Sequence, residues 1–250
     1  PVGTLHLLGT GAALSDSART TTMLALEGRA SLYLVDCGGD AAQRALASGL
    51  DLTRVEGLIV THEHADHVGG FPLLMERLWL AGQTEPFPVY GNASALKQVE
   101  RLDAAFDTSN WPDYPSLDLR EVGAEERALV LQDDDLTVYA SHGTHAVPCI
   151  GLRVERRGGG VVAYSGDTAP SAAIVRLAES ADVLVHEATG DGPGHSSAAG
   201  AARVAREAGV GRLVLVHLGP QPDGGEALLA EARAVFPATE LGYDGARYEF

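Results

Sequence analysis

The 250-residue sequence predicts a mixed α/β sandwich, with sheets inside and helices outside, and three observations carry that expectation. Short apolar runs alternate with helical patterns along the whole chain, the rhythm of layered α/β proteins. The strand-like runs outnumber the helical ones, and many of their connections are short enough for hairpins. Four runs end in polar clusters: Thr61-His62, Ser165-Gly166-Asp167, His186-Glu187 and His217. In layered α/β proteins, sites collect where loops leave strand ends, so one edge is expected to carry the chemistry.

Taken in order, a strand over 3–8 stops at Gly9 and a strand over 31–35 stops at Asp36. A helix over 39–48 leads to a strand over 57–60, which runs directly into Thr61-His62. A helix over 69–79 follows, then a strand over 88–90 opened by Pro88 and closed by Gly91, then a helix over 94–106. Strands over 136–140, 150–155 and 161–164 come next, the last two joined by a short basic hairpin from Arg153 to Gly160. The final third alternates a helix over 171–179, a strand over 183–185, a helix over 196–208, a strand over 213–216 and a helix over 225–235. Over 196–208 the alanines and Val204 make an apolar stripe, with Arg203, Arg206 and Glu207 outside it. The Gly/Pro-rich stretches at 158–160, 190–194 and 219–225 are short turns or site loops between apolar segments. No linker divides the chain, and one domain over 1–250 is expected.

Composition narrows the function. With 45% hydrophobic and 21% charged residues, the chain is neither disordered nor collagen-like. No apolar run approaches the roughly 18 residues of a membrane span, and residues 1–8 show no signal-peptide pattern. Cys37 and Cys149 cannot make a disulfide framework and read as buried, reduced thiols of a cytoplasmic protein. Acids outnumber bases 34 to 18, a formal net charge of -16, which disfavours a broad nucleic-acid groove but leaves room for a short phosphate-containing substrate. A homodimer is the default oligomer.

The segment His62-Glu63-His64-Ala65-Asp66-His67 is the strongest chemical signal. Imidazole and carboxylate suit divalent first-row metals such as Zn or Mn. His62 and His64 are two apart, so an extended segment projects both to one side, while Asp66 and His67 fall where the chain turns into a helix. Four donors in six residues cannot fill two coordination spheres. The remainder are expected from His145, Asp167 and His217: His62, His64 and His145 on one metal, Asp66, His67 and His217 on the other, with Asp167 bridging.

The same six residues match the HxHxDH signature of the metallo-β-lactamase fold, and the chain resembles that superfamily's ribonuclease Z group. Gly9-Thr10-Gly11-Ala12, Asp36-Cys37-Gly38, His186-Glu187-Ala188-Thr189 and His195-Ser196-Ser197 are similar to further motifs of the group. The resemblance implies a four-layer αββα metallo-β-lactamase sandwich with two divalent ions, Zn or Mn, at one edge. It also implies hydrolysis of phosphodiester bonds through a water shared by those ions, with Asp66 as ligand and acceptor, and with Glu187 and His195 as catalytic partners. A comparison of Gly192-Pro193-Gly194-His195 with a metal-binding segment of glyoxalase II-like hydrolases fails on order, since His195 follows Asp167. Transfer-RNA-processing members carry a long flexible arm, for which the hairpin from Arg153 to Gly160 leaves no room. The expected substrate is therefore a small phosphodiester or a short nucleic acid, and transfer-RNA binding is disfavoured. Lactone, thioester or aryl-sulfate hydrolysis on the same site is the alternative, and a non-catalytic metal sensor the third.

Lesser expectations complete the reading. Asp36 either supports a metal-bound histidine or caps the turn at Gly38-Gly39. Thr168 and Ser196 are expected to cap helices, Trp111 and Tyr114 to pack in a loop, Arg153, Arg156 and Arg157 to form a solvated hairpin, and His6 to face solvent.

Overall fold

The computed structural model describes residues 3–250. Its first half runs β1 (Thr4–Gly9), β2 (Met23–Glu27), β3 (Leu32–Val35), α1 (Ala41–Ala47), β4 (Val55–Val60), α2 (Ala65–Val68), α3 (Phe71–Leu80), β5 (Phe87–Gly91), α4 (Ala93–Asp103) and β6 (Leu117–Glu121). The second half runs β7 (Ala128–Gln132), β8 (Leu136–His142), β9 (Ile150–Arg156), β10 (Val161–Tyr164), α5 (Ala172–Leu177), β11 (Val183–Glu187), α6 (Ala198–Ala208), β12 (Arg212–Val216), α7 (Glu226–Arg233), β13 (Thr239–Leu241) and β14 (Arg247–Glu249). All nine expected strands and all six expected helices form; β2, β6, β7, β13, β14 and the short helix α2 are additional.

The strands make two mixed sheets of seven, ordered β14-β1-β2-β3-β4-β5-β6 and β13-β12-β11-β10-β9-β8-β7. Strand alternation sorts the apolar side chains into layers. Leu5 and Leu7 of β1, Ile59 of β4, Val185 of β11 and Val214 and Val216 of β12 point between the sheets. Their neighbours Leu8, Leu58 and Val60 point to the other face of the first sheet, under Ala41 and Ala45 of α1, Leu74 and Leu78 of α3, and Leu96 and Val99 of α4. Leu184, Leu213 and Leu215 point out of the second sheet against Ala201, Ala205 and Ala208 of α6 and Ile174 of α5. The result is the four-layer αββα sandwich.

Parallel pairing places the site. In the first sheet β3, β4, β5 and β6 are parallel, and in the second β10, β11, β12 and β13 are parallel. The carboxyl ends of β3, β4, β10, β11 and β12 deliver Asp36, His62, Asp167, Glu187 and His217. The sheets are stitched together beside these residues: the Ile150 amide donates to the Thr61 carbonyl at 3.1 Å, and the Leu218 amide to the Thr10 carbonyl at 3.0 Å. Asp36 and His217 both take left-handed backbone angles, φ 60° and 56°, uncommon for non-glycine residues and typical where structure over-determines a site. Gly38 is forced by crowding, because a Cβ there would overlap the carbonyl of Asp66.

The sequence misplaced three features. His6 is not solvent-facing: it is 5% exposed, with Nε2 2.9 Å from Oε2 of Glu27. Arg153 does not belong to a solvated hairpin; it is buried and donates from Nη1 to the carbonyls of Leu177 and Glu179. The caps fall elsewhere. Ser197, not Ser196, caps α6 by accepting from the Gly200 amide, and Thr168 lies ahead of α5, whose N-cap position is Ser171.

Candidate metal centre

Five imidazoles and two carboxylates converge at the edge where the sheets meet. His62 Nε2 lies 3.0 Å from His64 Nδ1, and His145 Nε2 lies 3.3 Å from the same His64 atom. On the other side, His67 Nε2 lies 3.2 Å from His217 Nε2, and Oδ2 of Asp66 is 3.5 Å from the first and 3.3 Å from the second. Between these groups sits Asp167, whose Oδ2 is 3.8 Å from His62, 3.5 Å from His67 and 3.4 Å from His217. Its Oδ1 is buried with no hydrogen-bond partner. All seven expected donors are therefore brought together, in the sets His62-His64-His145, His62-His67-Asp167 and Asp66-His67-His217.

These spacings suit a metal. Donors about 2.0–2.1 Å from a tetrahedral ion stand roughly 3.3 Å from one another. Nitrogen lone pairs facing each other at that distance repel unless a proton or a cation lies between them. The orphaned Oδ1 of Asp167 adds a buried acceptor without a donor, costly in the absence of a cation. The donor set fits divalent ions.

The far side of each ring is held in turn, which fixes its orientation. His67 Nδ1 donates to Asp36 Oδ2 at 2.7 Å, and Asp36 also accepts from the Thr61 amide and hydroxyl, both at 2.8 Å. Since the Thr61 hydroxyl proton goes to Asp36, its oxygen accepts from His62 Nδ1 at 3.1 Å. His145 Nδ1 donates to the Gly194 carbonyl at 2.8 Å. His217 Nδ1 donates to the Thr189 hydroxyl at 2.7 Å, and that hydroxyl donates to the His217 carbonyl at 3.1 Å. Four rings thus aim Nε2 at the centre. Of the two roles open for Asp36, the structure bears out support of a histidine.

Electrostatics follow from burial and neighbours. Burial pushes the His62 imidazole down to about 2, so it offers a lone pair. Burial also opposes ionisation of Asp66 and Asp167, but hydrogen bonds to His217 and His67 outweigh it for Asp66, and the charges of His67 and His217 do so for Asp167; both carboxyls lie below the usual range. Desolvation disfavours charge on His67 too, yet Asp167 and Asp36 raise it well above an ordinary imidazole.

Next to the donors stands a second pair. His195 Nδ1 is 2.8 Å from Oε1 of Glu187, and that carboxylate is fully buried and accepts from the Thr168 and Thr189 amides at 3.0 Å each. The hydrogen bond to Glu187 raises the His195 pKa above its ordinary value. The His195 ring packs against His145 and His217, with centroids 4.9 and 5.9 Å away. Thr168 and Ser196 support the loops instead of capping: Thr168 Oγ1 accepts from the Thr144 amide beside His145, and Ser196 Oγ donates to the Thr168 carbonyl. The roles of Thr61 and Thr189 escaped the sequence, although each adjoins a motif residue.

Comparison with known proteins agrees with this architecture. A family model described as "Beta-lactamase superfamily domain" matches residues 32–218. "Ribonuclease BN" of Enterobacter sp. (strain 638) is 31% identical over 303 residues, covering 96% of this chain and 97% of that one. "Ribonuclease Z" of Bacillus licheniformis is 31% identical over 307 residues, covering 98% of each. Because 96% of a 250-residue chain fills 303 aligned positions in the first comparison, about sixty positions of that relative have no counterpart here. Among solved structures, the metallo-β-lactamase fold protein YhfI from Bacillus subtilis superposes with a TM-score of 0.83 at 22% identity, covering 100% of both chains.

Proposed function

Because the chain belongs to the metallo-β-lactamase superfamily, within its ribonuclease BN/Z family of metal-dependent hydrolases, we propose that it is a dinuclear metal-dependent phosphodiesterase acting on small or short nucleic-acid phosphodiesters. His62, His64 and His145 would hold one ion and Asp66, His67 and His217 the other, with Asp167 placed between the two sets as a shared ligand. Bound Zn or Mn supplies positive charge to the phosphate oxygens and lowers the pKa of water. The chain's own residues do the remainder. The attacking water gives up one proton to solvent, and Asp66 accepts a hydrogen bond from its remaining O–H and aims it at phosphorus. His195 delivers a proton from Nε2 to the leaving oxygen, while Glu187 holds Nδ1–H and favours the doubly protonated ring. The observation that carries the reading is this Glu187–His195 pair standing beside seven convergent donors.

Two features favour a short substrate over transfer RNA. β9 and β10 pair antiparallel, with Val161 opposite Glu155, so the connection is a tight turn with no arm. The net charge of -16 points the same way.

The test is hydrolysis of bis(p-nitrophenyl) phosphate by metal-stripped protein after adding back Zn or Mn, with Asp66→Ala as control. Metal-dependent release, lost in the variant, is expected. No release with both metal sites filled would shift the chemistry to carboxylic or sulfate esters.

A further inference from the structure

The third and fourth helical segments of the first half's outer layer border a cleft that the metal centre does not use. It lies between α3 and the loop after α4, has a volume of about 350 Å³, and is walled by Leu73, Phe106, Trp111 and Tyr114, with Glu76, Asp103 and Asp107 among its polar lining. The Trp111 and Tyr114 rings stand 88° apart with centroids 5.5 Å from each other, two adjoining walls. They are held in place: Trp79 packs behind Trp111 at 4.9 Å, and its Nε1 donates to the Pro112 carbonyl at 3.0 Å, pinning the loop to α3.

The charge of this cleft is one-sided. No Lys, Arg or His lines it, and among the described residues no ion pair engages Glu76, Asp103 or Asp107. Asp103 is partly buried, and that burial raises its pKa with no cation to oppose it. Both Asp103 and Glu76 also act on the Tyr114 hydroxyl, which burial and these charges push up to about 12. The carboxylates and the aromatic walls therefore share one space. Aromatic faces are negative, and aromatic walls with carboxylates make the chemistry that recognises an alkylated ammonium: the rings take its methyl groups and charge, the acids its net charge.

We propose that this cleft is a binding site for a small organic cation of the quaternary or alkylated ammonium class, separate from the hydrolytic centre and independent of the substrate assigned to it. Trp79 and Trp111 are the chain's two tryptophans, so intrinsic tryptophan fluorescence reports on this cleft alone. The metal-loaded, full-length protein is titrated with choline at constant ionic strength, and in parallel with 3,3-dimethylbutan-1-ol, which has the same shape without the charge. Choline should change the fluorescence saturably and the alcohol should not. Asp103→Asn and Phe106→Ala should each weaken choline binding by roughly tenfold; Phe106 is 63% exposed, so its truncation leaves the core intact. Equal binding of the alcohol, no saturable change with choline, or undiminished binding by a folded Phe106→Ala variant would each overturn the proposal.

Discussion

An imidazole serves a metal only when its other nitrogen has somewhere to put its proton. His67 has Asp36, His62 has Thr61, His145 has the Gly194 carbonyl and His217 has Thr189. Glu187 does the same for His195, a ring that reaches the donor cluster yet belongs to a different pair. Its removal separates the two roles. His195→Ala is expected to lower kcat about 10²–10⁴-fold with metal content unchanged, measured by turnover and by metal analysis of the same preparation. Loss of an ion in that variant would make His195 a ligand. At this scale the donors were legible, because His62 to His67 crowd four of them into six residues and His217 ends an apolar run. Their supports were less so. Thr61 and Thr189 act through hydroxyl geometry, which residue order does not reveal, and His6 and Arg153 are buried by partners distant in sequence, Glu27 and the carbonyls of Leu177 and Glu179 at the end of α5.

Most elements succeed or fail on how much of their own burial they carry, although β2, buried at Met23 to Leu26, went unread. β4, β11 and β12 each contain a continuous buried apolar run, 57–60, 183–185 and 213–216, and could be read from the sequence. β6 is a half-exposed edge strand, Leu117-Asp118-Leu119-Arg120-Glu121, and β13 and β14 have three residues each, too short for any period to register. Their pairing is decided by the sheet edge they join. The β1–β2 pair offers a test at this scale. Glu27 at the end of β2 meets His6 of β1, and it meets Arg54 at 2.7 Å. Burial would raise its pKa, but the hydrogen bonds from Arg54 and His6 outweigh that and lower it. A depressed carboxyl stabilises the fold above its unfolded value, and that contribution fades as pH falls through the folded value. Glu27→Gln should therefore flatten the acid limb of a stability–pH curve below about pH 4.5, by no more than about 1 kcal/mol at this partly exposed site. An unchanged limb in urea melts would remove the triad from the account.

The whole molecule is joined at the edge that holds the chemistry. The first half supplies His62, His64, Asp66 and His67; the second supplies His145, Asp167 and His217. On the proposed ligand assignment, ions that bind only the folded chain stabilise it by mass action, about 2.7 kcal/mol at a hundred times Kd. Chelation should then lower Tm by roughly 5–10 °C, and the melt should keep a single transition, because one apolar layer is built from both sheets. Scanning calorimetry before and after chelation checks both; an unmoved Tm would mean that the donor cluster holds no ion that matters to the fold.

His67 and His217 bring their nitrogens within 3.2 Å across 150 positions of chain. An ion shared between such neighbours is a cross-link, and one closing a loop of that length removes roughly 5 kcal/mol of freedom from the unfolded chain by the reasoning used for disulfides. Unlike sulfur, such a staple would open without a reductant. Protons would compete for the same imidazoles and chelators for the same ion, so the strength of the link would be set from outside, by the supply of free metal in the surrounding solution.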